Sequence, residues 1–260
     1  MVSIQEALKK PYWMFALGSF ISLVSLFISF IVFPSSIGIF STFLITLAVT
    51  PFMMNLFSYE EAKEEQFIAR RKALGLLQTH KEVIVILTSF FVGMIFTYSL
   101  IFILLPGDTT AKIFQDQIQT INTIRGNFIF LDTFGQILFN NIGVLMLTFF
   151  FSFIFGVGAI FILAWNASVL SAAIGLLAKS FGGIQGLPLA MLVFFPHGSI
   201  EILAYFIGGI AGGMVSAAIS RRHSKMFWYV MGDSTFLMIF SVFLLIAAAF
   251  VETFAIYSSI

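Results

Sequence analysis

The sequence predicts an all-α fold, a polytopic bundle of transmembrane helices that forms a single membrane domain over residues 1–260. Of the 260 residues, 60% are hydrophobic and only 10% are charged. Soluble globular domains contain about 25% charged residues, so this chain lacks the polar surface that a water-facing body of its size needs. Apolar windows of about 20 residues also recur along the chain, and this is the length that crosses the hydrocarbon layer.

The first four predicted spans are continuous apolar windows. They cover Tyr12–Phe33, Ile37–Phe57, Val83–Leu105 and Ile142–Leu163. A turn at 34–36 joins the first two spans, so they should form an antiparallel hairpin. The third span ends at a proline and a glycine, which together are a turn signal.

Broken or re-entrant helices are predicted around 166–198. Ala167–Ala178 contains only twelve residues, and Leu187–Phe195 is shorter still. Short apolar segments interrupted by glycine and proline are typical of helices that do not cross a membrane unbroken. Because full spans over Ser199–Ser220 and up to Ile256 follow, we expect about seven crossings, or five if a shallow loop replaces the short helices.

The basic residues predict the orientation. If the N-terminus is cytoplasmic, ten of the thirteen Lys and Arg residues lie on the cytoplasmic side, and only Lys112, Arg125 and Lys179 lie outside. The positive-inside rule therefore predicts a multi-pass protein of the cell membrane with a cytoplasmic N-terminus and an external C-terminus.

Two connecting segments have helical patterns of their own. Residues 58–82 begin with a capping-box spacing and place acids early and bases late, as the helix dipole favours, which predicts a cytoplasmic helix. Residues 107–139 contain isoleucines at near-helical spacing among Gln and Asp, which predicts an external amphipathic segment at the outer membrane interface.

Composition and motifs exclude several functions. A net charge of +1 is incompatible with the concentrated basic face of a nucleic-acid-binding protein. The absence of cysteine excludes disulfides, thiolate metal sites and cysteine nucleophiles. No nucleophile elbow, zinc-protease, P-loop or dinucleotide-binding pattern occurs, so we predict a protein that is not an enzyme and uses no cofactor.

Six polar side chains in the apolar field are the candidate functional residues. Ionisable groups inside a membrane cost about 3 kcal/mol each on insertion scales, so those that persist are functional candidates. The six are Asn140, Asn141, Asn166, His197, Glu201 and Glu252. The asparagines are expected at the two ends of the fourth span.

His197 and Glu201 are four residues apart, so a helix that begins near Pro196 presents both on one face in its first turn. In one interpretation the two side chains satisfy each other inside the bundle. In the other they belong to a proton or metal site, for which Glu252 or an asparagine must supply a third ligand. The metal is therefore unknown, with His197 and Glu201 as candidate ligands.

Small residues continue along the same predicted helix. They form two overlapping small-xxx-small ridges that allow a neighbouring helix to approach closely, which predicts a helix-packing role. The ridge consists of Gly208, Gly209, Gly212, Gly213 and Ala217.

The segment Phe195-Pro196-His197-Gly198-Ser199-Ile200-Glu201 resembles the Pro-His-Gly-x-x-Glu signature of the stage II sporulation protein M family of integral membrane proteins. The asparagine pair before a Phe- and Gly-rich span, Asn166 and the late acid Glu252 are also similar to that family. The signature-bearing helical core covers residues 139–252. Ala167 departs from the family, which usually has glycine after the asparagine.

The resemblance implies a role in assembly. The founding member acts in engulfment during bacterial sporulation, as a membrane platform for peptidoglycan-degrading partners. We therefore expect a non-enzymatic scaffold in the lipid bilayer that binds partner proteins or forms a homo-oligomer. The rival hypothesis is a transporter of a small solute, ion or metal with a polar site at His197 and Glu201. Convergence of the polar side chains on one cavity favours transport, and pairing in dry packing favours the scaffold.

Overall fold

The structure, a computed structural model, describes residues 4–69, 80–124, 130–155, 159–220 and 224–258. These ranges are helical apart from short turns and contain no β-strand, which confirms the all-α prediction. The α-helices are α1 (Ile4–Lys9), α2 (Tyr12–Val32), α3 (Ile37–Ala69), α4 (Lys81–Leu104), α5 (Gly107–Ile113), α6 (Gln115–Ile124), α7 (Phe130–Phe155), α8 (Ala159–Ser180), α9 (Leu187–Ser220) and α10 (Ser224–Ser258).

Seven helices within these ranges are long and apolar enough to cross a membrane, as the composition predicts. The spans lie in α2, α3, α4, α7, α8, α9 and α10, and their mean hydropathy lies between 1.6 and 2.5. A helix of 20 residues is about 30 Å long, which matches the hydrocarbon layer. The chain is therefore a multi-pass membrane protein.

Close backbone contact joins α2 to α4. Gly18 lies against the carbonyl of Phe90, and Gly93 lies against the carbonyl of Phe15, so a Cβ at either glycine would overlap the opposite backbone. The Ser19 hydroxyl also donates a hydrogen bond to the carbonyl of Gly93 over 3.1 Å. Helices gain little from hydrophobic burial in a bilayer, so small residues that permit such contact supply the packing energy.

The second half of the bundle is built around α9, which packs against α7, α8 and α10. The Ser152 hydroxyl of α7 donates to the carbonyl of Gly209 over 2.6 Å. On the other side, the Ser234 hydroxyl of α10 donates to the carbonyl of Ala211 over 3.0 Å. α8 also contacts α3 and α4, so it connects the two halves.

The predicted fourth span is wrong in its bounds. α7 begins at Phe130 and ends at Phe155, and α8 is a continuous helix of 22 residues where a short broken segment was expected. The apolar window Ile142–Leu163 thus runs from the middle of one helix into the next. Asn166 consequently lies in the middle of a span and not at its end.

The predicted break at Pro196 is also wrong, because this proline lies inside the 34-residue helix α9. A proline removes one helical hydrogen bond, but a full break in a bilayer would leave further backbone groups without water to bind. The chain turns instead at 181–186, where Gly182 and Gly183 have positive φ angles of 97° and 78°. Glycine adopts this conformation at little steric cost. Two full spans therefore replace the re-entrant helices.

The 107–139 segment forms α5, α6 and the start of α7, and α6 packs against α3 and α8. Gln117 is buried, and its amide donates to the Ser168 hydroxyl over 3.2 Å. The Asp116 carboxylate accepts a hydrogen bond from the backbone N–H of Ile39 over 3.3 Å. This part of the segment is thus anchored to the bundle, and its external location stays a prediction.

The 58–82 segment begins as a continuation of a span. α3 extends from its membrane-spanning part, which ends at Leu56, as far as Ala69. Residues 70–79 lie outside the described part of the chain, and Lys81 begins α4. The cytoplasmic location of this helix stays a prediction.

The chain contains no cysteine, so single introduced cysteines can test the orientation. We expect Asn127→Cys to react with a membrane-impermeant maleimide in intact cells and Lys72→Cys to react only after the membrane is opened. The physical reason is that the opposite orientation puts ten of the thirteen basic residues on the external side. Reaction of Lys72→Cys in intact cells, with Asn127→Cys protected, would overturn the topology.

Candidate functional site

One cavity of about 560 Å³ lies between α7, α8, α9 and α10. All six candidate polar residues line it, and they come from four different helices. α7 supplies two asparagines, α8 one, α9 the histidine and one glutamate, and α10 the last acid: Asn140, Asn141, Asn166, His197, Glu201 and Glu252. The fold therefore brings together residues that are more than 100 positions apart in the chain.

Two glutamates form the centre of the polar wall. The side-chain Nδ2 of Asn141 donates a hydrogen bond to Oε1 of Glu201 over 2.7 Å. The carboxyl group of Glu201 is also hydrogen-bonded to that of Glu252. Ionised carboxylates only accept hydrogen bonds, so a bond between two carboxyl groups requires a proton on one of them. The two acids therefore pair only when one of them carries a proton, and the pair joins α9 to α10.

The asparagine pair extends this network toward the surface. Nδ2 of Asn140 donates to Oδ1 of Asn141 over 3.2 Å. Asn140 is exposed, whereas Asn141 is only 6% exposed. Since Oδ1 of Asn141 is occupied as an acceptor, its Nδ2 is held toward Glu201. A line of hydrogen bonds therefore runs from an exposed amide to the half-buried acids.

His197 lies on the same wall without bonding to the acids. Its side chain is 6% exposed, and within the described ranges its Nδ1 has no hydrogen-bond partner. The nearest described aromatic contact is Phe194, with ring centroids 5.7 Å apart. α9 begins at Leu187, so neither His197 nor Glu201 lies in a first helical turn, and the partial charge of a helix N-terminus does not act on them.

Asn166 forms a separate part of the wall. Its Nδ2 donates to the backbone carbonyl of Ile162 over 2.8 Å, one turn earlier in α8. The side chain is half-buried and lines the cavity. It can therefore contact a ligand from the α8 side of the cavity.

Three further polar residues line the cavity. Tyr205 is 4% exposed and lies close enough to Glu201 and Glu252 to interact with them electrostatically. Thr133 and Gln136 lie in the first turns of α7. Tyr205 is four residues after Glu201, a spacing that places it on the same helix face. No spacing pointed to Thr133 or Gln136, because the sequence assigned both to the external segment.

The remaining wall is apolar and rich in aromatic rings. It includes Phe91, Phe194 and Phe206, together with aliphatic side chains such as Leu163. None of the described lining residues is a lysine or an arginine. Concave, mainly apolar sites with a few convergent polar groups are typical of small-molecule binding.

The structure shows no third protein ligand for a metal ion beside His197 and Glu201 among the described residues. Among the described residues, no group of three or more His, Cys, Asp or Glu side chains is placed to hold a metal ion. His197 and Glu201 thus remain two candidate ligands without a third.

The glycine ridge follows Glu201 along α9 and faces α7. A Cβ at Gly208 would overlap the side chain of Leu145, and a Cβ at Gly212 would overlap the carbonyl oxygen of Phe149. The side chain of Ala217 lies outside the described residues. Leu145 is one turn beyond Asn141, so this contact and the bond between Asn141 and Glu201 lie along the same interface of α7 and α9.

Comparison with known proteins identifies a family for most of the chain. The model of the family described as SpoIIM, Stage II sporulation protein M, matches residues 82–255. That range covers about two thirds of the chain and contains all six candidate polar residues. No curated protein and no solved structure matches the chain.

Proposed function

This chain belongs to the stage II sporulation protein M family, and from that premise we propose that it binds a small solute in the cavity around Glu201 and Glu252, as transporters do inside their membrane domains. The observation that supports this proposal is the convergence of six polar side chains from four helices on one cavity. A purely structural acid pair needs hydrogen-bond partners but no open space beside it.

The acid pair also has features that suit ligand exchange. Polar groups at membrane depth are costly unless they are bonded to one another or to a ligand. Glu201 and Glu252 are bonded, whereas the buried Nδ1 of His197 is without a partner among the described residues. A bound solute would satisfy that atom.

A thermal-shift screen tests the proposal. Purified protein is heated with a panel of solutes: amines, amino acids, sugars, and sodium, potassium, magnesium and zinc chlorides. A ligand at one hundred times its Kd stabilises the native state by about 2.7 kcal/mol, so we expect at least one compound class to raise the Tm. The same compound should fail to shift Glu201→Gln.

Asp132→Asn is the matched control, because Asp132 is an exposed acid in the first turn of α7 that does not line the cavity. It should respond as the wild type does. Tracer uptake of the stabilising compound by proteoliposomes then separates transport from binding alone. Equal Tm shifts in the wild type and in Glu201→Gln for every panel compound would contradict the proposal.

Family membership supports a second candidate, a non-enzymatic scaffold that assembles partner proteins or copies of itself. In that case a partner or a defined oligomer should co-purify in mild detergent, and Glu201→Gln should not affect its recovery. A monomer without partners would count against the scaffold.

A further inference from the structure

The charges of the described residues around the cavity disfavour anionic ligands. Among the residues that the structure describes, its wall contains two carboxylic acids and no lysine or arginine. Lys179, the basic residue of α8, is engaged elsewhere, since its Nζ donates to the carbonyl of Leu105 and to the Thr110 hydroxyl, each over 3.2 Å. A phosphate or carboxylate ligand would therefore face the acids without a compensating cation from the described part of the wall, which is unfavourable at low dielectric.

The same wall suits a cation with an apolar body. Phe91, Phe194, Tyr205 and Phe206 supply aromatic rings, whose faces attract cations. The volume of about 560 Å³ lies in the range of sites for small organic molecules and far exceeds the need of a bare ion.

The acid pair offers a place for the cationic head group. A primary ammonium has three N–H donors, so it can bond both carboxyl groups at once. The Nδ1 of His197, buried on the same wall and unpaired within the described ranges, is a further polar atom that such a ligand can engage.

We infer that the cavity is a site for a primary ammonium group carried on an apolar body, held between Glu201 and Glu252. This inference rests on the proposed solute-binding function and names the chemical class of the solute. A free amphipathic amine and phosphatidylethanolamine both carry a primary ammonium, and in the lipid the neighbouring phosphate would have to stay outside the cavity.

Three probes of equal shape and different charge test the inference: 4-phenylbutylammonium, 4-phenylbutan-1-ol and 4-phenylbutanoate. Their Kd values are measured by calorimetry on the full chain in phosphatidylcholine nanodiscs, with empty nanodiscs to subtract membrane partition. We expect the ammonium probe to bind about tenfold to a hundredfold more tightly than the alcohol, and the carboxylate to bind more weakly than both.

Variants localise the effect. Glu201→Gln and Glu252→Gln preserve the shape of the side chain, and each should reduce the preference for the ammonium probe over the alcohol by about tenfold. Asp132→Asn should keep the preference. Measuring the Tm of each variant shows that it is folded.

Nanodiscs of phosphatidylcholine mixed equally with phosphatidylethanolamine identify the source of the ammonium. A weaker Kd for the ammonium probe in the mixture indicates that the lipid competes for the site, and an unchanged Kd indicates a free amine. Both results retain the ammonium site.

Equal Kd values for the ammonium probe and the alcohol, or a preference that survives in both Gln variants, would overturn the inference. The proposed function has its own test in the solute panel. If a sugar or a metal chloride raises the Tm in a way that depends on Glu201, and the ammonium probe shows no preference, solute binding is supported and the ammonium inference is contradicted.

Discussion

Glu201→Gln should leave the protein folded and abolish its ligand-dependent stabilisation, whereas Glu201→Ala should destabilise the protein itself. Glutamine keeps an oxygen that can accept from Nδ2 of Asn141 and adds an N–H that can donate to Glu252, so the network persists. Alanine leaves the buried amide of Asn141 without its acceptor, and an unsatisfied buried donor costs about 1–3 kcal/mol.

The measurements are the free energy of unfolding in mixed detergent and the Tm shift with the stabilising solute. Glu252→Gln should resemble Glu201→Gln in both, because the two acids share one hydrogen bond. Asp132→Asn provides the baseline for an exposed acid on the same bundle. If alanine and glutamine at position 201 are equally tolerated in both measurements, the acid pair has no role in folding or in binding.

The number of spans was predictable because it depends only on composition and window length. Seven apolar windows are needed to place the basic residues consistently, and the structure has seven candidate spans. The helix ends were not predictable in the same way. In a bilayer both the lipid-facing and the core-facing residues are apolar, so the amphipathic periodicity that sets helix bounds in soluble proteins is weak.

Two positions show how the bounds were misread. Pro196 carried the expected break, but it lies within α9, where continuing the helix satisfies more backbone groups than breaking it. Lys179 was expected to end a short segment, but it ends the full-length helix α8, where its side chain bonds to the carbonyl of Leu105. Lys179 thus indicated the C-terminal end of α8 correctly, whereas no charged or polar residue indicated its N-terminal end at Ala159.

Six of the nine polar residues that line the cavity were candidates from the sequence, but their hydrogen-bond partners were not predictable. The six polar residues were chosen because polar groups inside a membrane are energetically costly, and all six line the cavity. Sequence spacing could pair Glu201 only with His197, which is four residues away. Its actual partners, Asn141 and Glu252, lie on other helices, and only the packing of α7 and α10 against α9 brings them into contact.

Gly212→Ala should destabilise the protein and impair the site, although it adds only one methyl group. The new Cβ would overlap the carbonyl oxygen of Phe149 and lie 3.0 Å from Cβ of Ser152. A backbone oxygen cannot move aside as a flexible side chain can, so α9 and α7 must separate. Overpacking of this kind costs about 1–3 kcal/mol. The separation should also weaken the hydrogen bond that Asn141 makes to Glu201 across the same interface.

Gly213→Ala and Gly143→Ala are matched controls for this prediction. At Gly213 the nearest atom to a new Cβ is Oγ of Ser152 at 3.4 Å, an ordinary contact, and at Gly143 nothing lies within 4 Å. Alanine favours a helix by up to about 1 kcal/mol over glycine, so both controls should be neutral or stabilising. The free energy of unfolding and the solute-dependent Tm shift should therefore both fall for Gly212→Ala alone. A Gly212→Ala protein as stable as Gly213→Ala would show that α7 and α9 do not depend on this close approach.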